Sequence, residues 1–422
     1  MLIPQSLTVF LLAITCLSLP SVTQASTAEF YVDSQNGKDS NTKGSIADPF
    51  QTVTKALSKA QEQTDITLVT IYLIPRNTSY TLSSSFVGGK KCPNLIIQPT
   101  GTVIPDTWSS SPTLILYGVS TFSNVNLSLN GIIISNNITN NNSQLIFCGG
   151  NLQLTNSLVA AFALRPTGYL GLLKVANSTI MIQNSQMNIA DYAESLDAYN
   201  TTVVFNNTKM IYLPSQPLAK SSLVLASCTL LIDSMYIFAD NQTPNIFVDY
   251  NDTFLFGFQS TNITIKNVFA QINPPYVVKL FYSENARSVS IENVTIYNTS
   301  LLITAFEFAQ TSSSIVLNLS GFTIQGSTFQ AQDCWNPGCE GFICIAAWPG
   351  FNISATITNL NFLDNVKSSS GYGSALSLVA FKGYGNLSMN HVRMTNNTIV
   401  NKLLNYDGTV VEFDLSDLEI FN

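Results

Sequence analysis

The chain has 422 residues, of which 45% are hydrophobic and 10% are charged, with a net charge of −7 and a pI near 4.7. This acidic balance argues against nucleic acid as a partner, and the apolar content excludes an intrinsically disordered chain. Few charges among many Ser, Thr and Asn residues predict a neutral polar surface over a large apolar core.

The first 25 residues have the pattern of a secretory leader. An apolar run from Leu7 to Leu19 is too short to span a bilayer, and the small polar stretch Val22 to Ala25 follows it. We interpret residues 1–25 as a signal peptide cleaved after Ala25, although its start lacks a positive charge. No later stretch is long and apolar enough for a transmembrane helix. The sequence therefore predicts a secreted or cell-surface protein.

The next segment, residues 26–65, is predicted to hold a strand, a loop rich in Gly and Asn, and a helix. The motif Asp48-Pro49-Phe50 precedes the helix, and apolar residues recur at helical spacing over Thr52 to Ala60. This order resembles the N-terminal segment of many secreted β-helix proteins, and the resemblance implies that the helix caps the first coil. A strand is predicted at Leu68 to Ile74, and an irregular early coil at Leu95 to Ile104.

A repeat of one short pattern organises residues 66–422. Its clearest copy is Val289 to Ile296, reading VSIENVTI, in which apolar and polar residues alternate until a turn residue interrupts them. About eleven copies recur at spacings of about 23 to 38 residues, within the range typical of solenoids. The turn residues are Gly131, Asn156, Asn184, Asn207, Ser234, Asn267, Asn293, Gly321, Asn359, His391 and Asp417.

Apolar side chains stand four and two residues before each turn residue, and again three residues after it. Alternation with period two predicts β-strands, and the slip of phase at the turn predicts a residue with left-handed backbone. Gly, Asn, Asp and His adopt that conformation most readily. Because one unit cannot bury its apolar face alone, the copies are predicted to stack. A leucine-rich repeat is the competing solenoid, but it keeps a tighter period.

From Leu127 to Ile420 these columns resemble right-handed parallel β-helix proteins of the pectin-lyase-like superfamily, with their Asn-lined turn. The resemblance implies an all-β fold, a right-handed parallel β-helix with an N-terminal helical cap. The last copy ends at Ile420, close to the end of the chain at Asn422. We expect an uncapped or truncated C-terminal end there, with assembly through that end as the alternative.

Six cysteines remain after cleavage of the predicted leader, which contains Cys16. They are Cys92, Cys148, Cys228, Cys334, Cys339 and Cys344. An even number of cysteines in a secreted chain favours disulfides. For the evenly spaced Cys334, Cys339 and Cys344, metal ligation is the alternative.

Asn-x-Ser/Thr sequons are dense, about sixteen in number, and predict a glycoprotein. The sites that we expect to be modified are Asn77, Asn126, Asn177, Asn200, Asn262, Asn318, Asn352 and Asn386. Asn293 is also in a sequon, but it stands at a tight turn that an enzyme would not reach. The competing interpretation is that Asn at turns and Thr in strands produce sequons through composition alone.

No catalytic motif of pectate lyases or polygalacturonases is present in this sequence. One charged stack is expected, because Asp233, Lys266 and Glu292 precede the turn residue on three successive copies, about 4.8 Å apart. Such a stack is either an acid–base group or, more often, an ion-pair ladder on the surface. We favour the ladder and treat these three as weak catalytic candidates. The single histidine, His391, occupies the turn column, where a structural role is expected.

A second acidic group, Asp191, Glu194 and Asp197, lies between two copies of the repeat. Several carboxylate oxygens are what calcium needs. The spacing matches no calcium motif, so a solvated acidic loop is the favoured interpretation. The sequence therefore predicts no metal site and no other cofactor, with calcium as a weak alternative.

Aromatic side chains supply the candidate binding residues. Tyr236 and Phe269 lie two residues after the turn on adjacent copies and are predicted to point outward, where they can stack on a sugar ring or pack under a loop. The longest insertion, from Gly321 to Asn359, contains Trp335 and Trp348 and the three closely spaced cysteines. Because loops on rigid scaffolds concentrate binding residues, this insertion is predicted to protrude and to be the centre of any ligand binding. The alternative, which we favour slightly, is that both tryptophans cover the apolar wall of the β-helix and the cysteines only tie the loop down.

A further motif, Phe362-Leu363-Asp364-Asn365 followed by Gly371 to Ala375, resembles the FxxN and GGA signatures of polymorphic outer-membrane-type β-helix adhesins. With the missing catalytic motifs, it favours a secreted, non-enzymatic surface or extracellular binding and adhesion protein, with a polysaccharide or cell-surface glycan as its partner. The alternatives are a polysaccharide lyase or glycoside hydrolase of the pectin-lyase-like superfamily, and an ectodomain fragment of a larger membrane-anchored protein.

Overall fold

The computed structural model describes residues 26–40, 43–63, 65–89, 93–101, 108, 111–136, 143–160, 172–190, 195–213, 223–239, 254–272, 279–301, 304–331, 342–347, 349–369, 379–401, 406–408 and 412–417. The predicted leader lies outside them.

Strands dominate the described chain, and one helix, α1 (Val53–Glu62), accompanies them. The strands of the first half are β1 (Thr27–Val32), β2 (Leu68–Leu73), β3 (Tyr80–Leu82), β4 (Ser85–Val87), β5 (Asn94–Pro99), β6 (Thr113–Leu116), β7 (Val119–Asn130), β8 (Ile133–Asn136), β9 (Gln144–Thr155), β10 (Leu158–Ala160), β11 (Leu173–Gln183), β12 (Gln186–Ala190), β13 (Leu196–Tyr199) and β14 (Thr202–Leu213). Those of the second half are β15 (Leu223–Ala226), β16 (Thr229–Ala239), β17 (Phe254–Gln259), β18 (Asn262–Gln271), β19 (Lys279–Glu284), β20 (Ser288–Tyr297), β21 (Ser300–Leu301), β22 (Thr304–Gln310), β23 (Ile315–Gln325), β24 (Thr328–Ala331), β25 (Ile343–Ala347), β26 (Asn352–Leu363), β27 (Val366–Ser369), β28 (Val379–Thr395), β29 (Thr398–Asn401), β30 (Tyr406–Gly408) and β31 (Glu412–Asp417).

The strands wind as a parallel β-helix, because nearly all of them pair in parallel with a counterpart one coil away. Among the described strands, β29 and β30 are the exception and pair antiparallel. Strands β14, β16, β18, β20, β23 and β26 pair in parallel, in that order, residue for residue. The predicted all-β, mainly parallel architecture is confirmed. In the part of the chain that the structure describes, no helix is long and apolar enough to cross a membrane.

The predicted turn column is confirmed as one corner of the winding, which we call the first corner. Every member from Gly131 to His391 has positive φ, from 48° at Asn184 and Asn207 to 67° at Gly321. The side chains on either side alternate as predicted, since Val289, Ile291, Val294 and Ile296 of β20 are all buried. A left-handed residue therefore shifts the strand phase by one without breaking the parallel ladder.

Two more corners, absent from the sequence predictions, share this geometry. The second corner has positive φ at Asn124, Gly149, Asn177, Asn200, Ser227, Ser260 and Asn285, and the third has it at Asn298, Gly326, Asp364 and Asn396. At each corner, the left-handed residue donates its backbone N–H to a carbonyl of the next coil, as Asn200 does to Ala226 at 3.0 Å. The corners thus satisfy the backbone groups that the bend would otherwise leave unpaired.

The core is a column of stacked apolar side chains. Phe256, Phe281 and Phe306 lie one above another on successive coils with ring centroids 4.8 Å apart, the spacing of neighbouring strands. The residue just after a corner also points inward, and where it is Ser or Thr its hydroxyl returns a hydrogen bond to the backbone. Thr201 does so to the carbonyl of Tyr199 at 2.8 Å. These returned bonds let polar residues enter the core.

The N-terminal segment is held by two carboxylates, of which Asp33 is buried and Asp39 is partly exposed. Asp33, only 2% exposed, pairs with Arg76 and also accepts the backbone N–H of Asn36 at 3.1 Å, which ties the Gly- and Asn-rich loop to the chain after β2. Asp39 accepts the hydroxyl of Thr52 at 2.7 Å, and Thr52 is the N-cap of α1. The helix therefore begins at Val53, and its buried residues are Val53, Ala56, Leu57 and Ala60.

Two sequence predictions are wrong. The last repeat does not continue the first corner, because β31 pairs with residues 380–384, so that Asp417 lies opposite Tyr384 rather than His391. Cys148 and Cys228 do not form disulfides but are free thiols. Cys228 stands between Thr201 and Thr261 in the inward column of the second corner, and its thiol makes the bond that a hydroxyl makes elsewhere.

Candidate functional site

An open groove follows the first corner over successive coils in the first half of the winding; we call it the corner groove. Its volume is about 450 Å³. It is lined by Trp108, Asn156, Asn184, Ser185, Gln186, Asn207, Thr208, Lys209, Tyr236 and Phe238. The corner Asn residues build its floor, and Asn207 donates through Nδ2 to Oδ1 of Asn184 at 2.9 Å. This amide ladder leaves hydrogen-bonding groups in a regular row along the groove.

An aromatic surface forms one wall of the corner groove and continues past it. Tyr236 and Phe238 stand on the same outward face of β16, with rings parallel to within 2° and centroids 6.5 Å apart. Phe269 is directly opposite Tyr236 on the next coil and packs against Phe238 at 6.1 Å. Tyr236 remains 47% exposed, so this surface offers a ring face to a ligand. The predicted outward placement of Tyr236 and Phe269 is thus observed.

Lys209 supplies the only charge among the residues that line the corner groove. It stands opposite Tyr236 on the preceding coil, and its Nζ lies 5.8 Å from the centre of the Phe238 ring. Cation–π attraction at this distance holds the ammonium over the aromatic surface. The groove therefore combines ring faces, amide groups and one cation, which suits a polar ligand with a flat, partly apolar face.

The predicted charged stack lies on the other side of the first corner from the aromatic surface. Lys266 is opposite both Asp233 and Glu292 in the strand register, as predicted. Its Nζ is 3.1 Å from Oε2 of Glu292, and each of these two side chains is 49% exposed. Asp233 is instead oriented by the corner amide of Asn267, which donates to Oδ1 at 2.8 Å. The stack therefore consists of an exposed ion pair between Lys266 and Glu292, and of the Asp233 carboxylate, which accepts a hydrogen bond from the Asn267 side chain.

Several predicted site residues lie outside the described residues. These are Trp335, Trp348, Asp191, Glu194, Cys92, Cys334 and Cys339. Asp197, the described member of the acidic group, pairs with Lys174 at 3.6 Å. Within the ranges given above, no three His, Cys, Asp or Glu side chains converge as metal ligands do.

Six residues of the corner groove were not predicted from the sequence: Trp108, Ser185, Gln186, Thr208, Lys209 and Phe238. Lys209 and Phe238 could have been found, since they occupy outward positions two and four residues after the turn residue, the same face as Tyr236. Trp108 stands before the first recognised copy of the repeat, and no pattern in the sequence places it at this corner.

Two further open grooves lie on the side of the coil that precedes the first corner. One, of about 430 Å³, runs over the second corner beside Asn177 and Asn200. The other, of about 650 Å³, lies between Arg287, Val316, Asn352 and Asn386 on later coils. Asparagines of Asn-x-Ser/Thr sequons line both of these grooves, whereas none of the asparagines that line the corner groove is in a sequon.

The coil-to-coil pairing and the corners define the fold class of this chain. The fold is a parallel β-helix. No protein-family model matches the chain, and no curated protein sequence matches it.

Solved structures resemble this chain at the level of the fold. A rhamnogalacturonan lyase matches over 91% of this chain and 90% of its own, with 13% identity and a TM-score of 0.43. The catalytic domain of a GH87 α-1,3-glucanase, in complex with nigerose, matches over 88% of this chain with 11% identity and a TM-score of 0.38. A surface adhesin of Streptococcus pneumoniae matches over 86% of this chain and 91% of its own, with 9% identity and a TM-score of 0.34. The chain spans 66% of the length of the glucanase domain.

The prediction of a non-enzymatic surface or extracellular binding protein is wrong on this comparison. Most of the matching structures are enzymes, namely a lyase, a glucanase and a biosidase. The missing pectate lyase and polygalacturonase motifs do not separate a binding protein from an enzyme, because one fold can carry many unrelated functions.

Proposed function

We propose that this protein is an enzyme that binds a polysaccharide in the corner groove and cleaves it beside the first corner. One observation carries the proposal: the aromatic surface and the charged stack share the same two coils. Asp233 and Tyr236 flank the corner residue of β16, and Lys266 and Phe269 flank that of β18. A chain stacked on the aromatic surface therefore passes within reach of the charged side chains.

Binding follows from the chemistry of the groove. The apolar face of a sugar ring packs on Tyr236 and Phe238, while its hydroxyl groups bind the amides of the corner ladder and Gln186. The shared face of Tyr236 and Phe269 extends along the winding axis, so an extended polymer fits it better than a single sugar does.

Cleavage is assigned to the charged stack. Asp233 and Glu292 lie two coils apart, about 9.6 Å by the strand spacing. That is close to the separation of about 6.5–9.5 Å at which two carboxyl groups hydrolyse a glycosidic bond with inversion. Lys266 holds Glu292 in place through their ion pair. The second candidate is a polysaccharide lyase, which the basic side chain of Lys266 within the stack favours.

The test is a panel of neutral and acidic polysaccharides, with and without calcium, assayed for new reducing ends. Glu292→Gln is expected to lower kcat by at least about 100-fold, the contribution of one general acid or base. Tyr236→Ala is expected to weaken binding by about tenfold with a smaller effect on kcat. An unsaturated uronate at the new end identifies a lyase, and a saturated sugar identifies a hydrolase.

Two control variants separate function from stability. Tyr199 is 57% exposed and does not line the corner groove, so Tyr199→Ala controls for the loss of a surface ring. Asp197 is ion-paired like Glu292, so Asp197→Asn controls for the loss of a surface ion pair. Full activity of Glu292→Gln on a cleaved substrate would reject the charged stack as the reacting group. Failure to cleave any member of a broad panel would reject the enzymatic function.

We propose cleavage of the leader after Ala25, secretion or display at the cell surface, and a right-handed winding, the hand of about 98% of parallel crossovers. Helix α1 is proposed to cap the first coil, residues 26–65 to form the N-terminal segment, and residues 66–422 to form the β-helix. Burial of Val53, Ala56, Leu57 and Ala60 supports the cap.

A disulfide within the long insertion is proposed as well. Cys344 is buried, and its sulfur is bonded in a disulfide, which supports pairing among Cys334, Cys339 and Cys344. Metal ligation by these three cysteines is not proposed, because a bonded sulfur is not a thiolate ligand.

A further inference from the structure

Two sequons at the second corner are chemically alike but geometrically different. Asn177 and Asn200 occupy the same left-handed position on adjacent coils, with φ of 50° and 47°. Their acceptor residues at the third sequon position, Thr179 and Thr202, face each other in the strand register. Both asparagines are exposed. Any difference in their modification therefore reflects the contacts of their amide groups.

The side-chain amides of the second corner form an amide ladder like that of the first corner, and this second-corner ladder distinguishes the two sites. Nδ2 of Asn200 donates to Oδ1 of Asn177 at 2.8 Å. Because Oδ1 of Asn177 faces Asn200, its own Nδ2 points the other way, toward the preceding coil. The residue at the corner of that coil is Gly149, in register with Asn177, and a glycine offers no side chain to accept the bond. The ladder is thus interrupted beside Asn177.

Open space adjoins that interruption. The groove of about 430 Å³ at this corner contains both asparagines, and every residue that lines it is polar or glycine. At its far end is Gly150, where an added Cβ would lie 2.2 Å from the carbonyl oxygen of Val125, so the coil surface stays flat there. A hydrophilic, hydrogen-bonding recess of this kind suits a sugar attached to one wall.

We propose that Asn177 carries an N-linked glycan whose first sugar lies in this groove, and that Asn200, contrary to the expectation from its sequon alone, is unmodified in the folded protein. In the transfer, Nδ2 of Asn177 bonds to C1 of the first sugar, the bond from C1 to a lipid-linked diphosphate breaks, and one amide proton leaves. The inference rests on the predicted secretion and is independent of the proposed glycan cleavage.

Asn200 cannot carry the sugar without breaking the ladder. Its Nδ2 faces Asn177 across the coil spacing of about 4.8 Å, which leaves no room for a sugar between the two coils. A chain modified there loses the hydrogen bond between the two amides, folds less well, and is depleted from the secreted product. Asn126 is expected to behave in the same way, since its Nδ2 donates to Asn94 at 2.9 Å.

The test is site occupancy in the full chain secreted from a eukaryotic cell. Enzymatic release of N-glycans in water labelled with oxygen-18 marks each formerly modified asparagine as a labelled aspartate, which peptide mass spectrometry counts. Asn177 is expected to be mostly modified, and Asn200 and Asn126 to be modified at least about tenfold less, in line with the loss of one hydrogen bond on modification. Equal occupancy at Asn177 and Asn200, or none at Asn177, would overturn the proposal.

Two reciprocal variants move the interruption of the ladder by one coil. Asn177→Gly transfers the gap to Asn200, whose occupancy is expected to rise to the level of Asn177 in the parent chain. Gly149→Asn fills the gap, because Asn accepts the φ of 72° found there, and occupancy of Asn177 is expected to fall about tenfold. A Cβ at that position would lie 2.7 Å from Oδ1 of Asn124, so the Asn124 side chain must shift, and its nearest backbone contact, the nitrogen of Asn124 at 3.8 Å, is an ordinary one. If neither variant changes occupancy, the ladder does not select the site; circular dichroism of the secreted product confirms folding.

Discussion

Asn293 donates through Nδ2 to Oδ1 of Asn267 at 3.2 Å, from one coil to the next along the first corner. Both residues have a φ of 55°. The same two features recur at Asn184 and Asn207, so one residue type serves two purposes at this corner. Its backbone accepts the left-handed conformation, and its amide links neighbouring coils.

Asn293→Val is expected to lower the free energy of unfolding by about 1–2 kcal/mol, because a β-branched residue is disfavoured at positive φ. Urea denaturation measures the loss. Asn293→Gly is the matched control, since glycine keeps the left-handed backbone and removes only the amide link. If the two variants lose the same stability, the amide link and not the backbone conformation carries the effect.

Ile291→Asp is expected to prevent folding. Ile291 is 1% exposed in the stacked core, and no neighbour on the adjacent coils, Ile265 or Leu319, can pair with a buried carboxylate. Ser290→Asp is the control: Ser290 is exposed on the same strand, and its change should alter stability by less than about 0.5 kcal/mol. Far-ultraviolet circular dichroism and the yield of soluble protein report the result. A folded Ile291→Asp protein would show that the strand phase is wrong.

Asp33 is expected to make stability depend on pH below about 4. The hydrogen bond from Arg76 holds the pKa of Asp33 well below its usual range, with further support from the backbone of Asn36 and Gln35. The unfolded pKa is about 3.9, so this carboxylate stabilises the native state above that pH. Its contribution is lost as the pH falls through the lower folded pKa.

Thermal melting between pH 2 and pH 6 tests this assignment. In Asp33→Asn the melting temperature at pH 6 is expected to drop. The further drop in melting temperature at low pH is expected to be smaller than in the parent protein, because the part that comes from protonation of Asp33 is absent. Asp48→Asn is the control, because Asp48 is an acidic residue of the same loop whose carboxylate is more exposed. An unchanged pH profile in Asp33→Asn would show that the Arg76 pair does not form in solution.

Cys228→Thr is expected to change the free energy of unfolding by less than about 1.5 kcal/mol, because the shape is nearly conserved. The hydroxyl would make the backbone bonds that Thr201 and Thr261 make on the adjacent coils.

Burial raises the pKa of the Cys228 thiol, so alkylation at neutral pH is expected at Cys148 first and at Cys228 only after unfolding. Rapid alkylation of native Cys228 would contradict its place in the core.

Much of this fold follows from local chemistry that the sequence displays. The alternation around Asn293 is visible because apolar side chains must repeat every two residues on a strand. The slip at the corner is visible because few residues accept positive φ. Copies of the pattern then stack without further information, since each coil buries its apolar face on the next.

The sequence could not reveal which residues meet across coils of unequal length. The corner groove joins Trp108 to Phe238, and only the winding brings them together. The same holds for Asp417, which the pattern aligned with His391, whereas its strand pairs beside Tyr384. A repeat determines the conformation of each coil, but the register between neighbouring coils decides which residues meet. The amide ladder therefore ends beside Asn177 because Gly149 happens to be its neighbour in space.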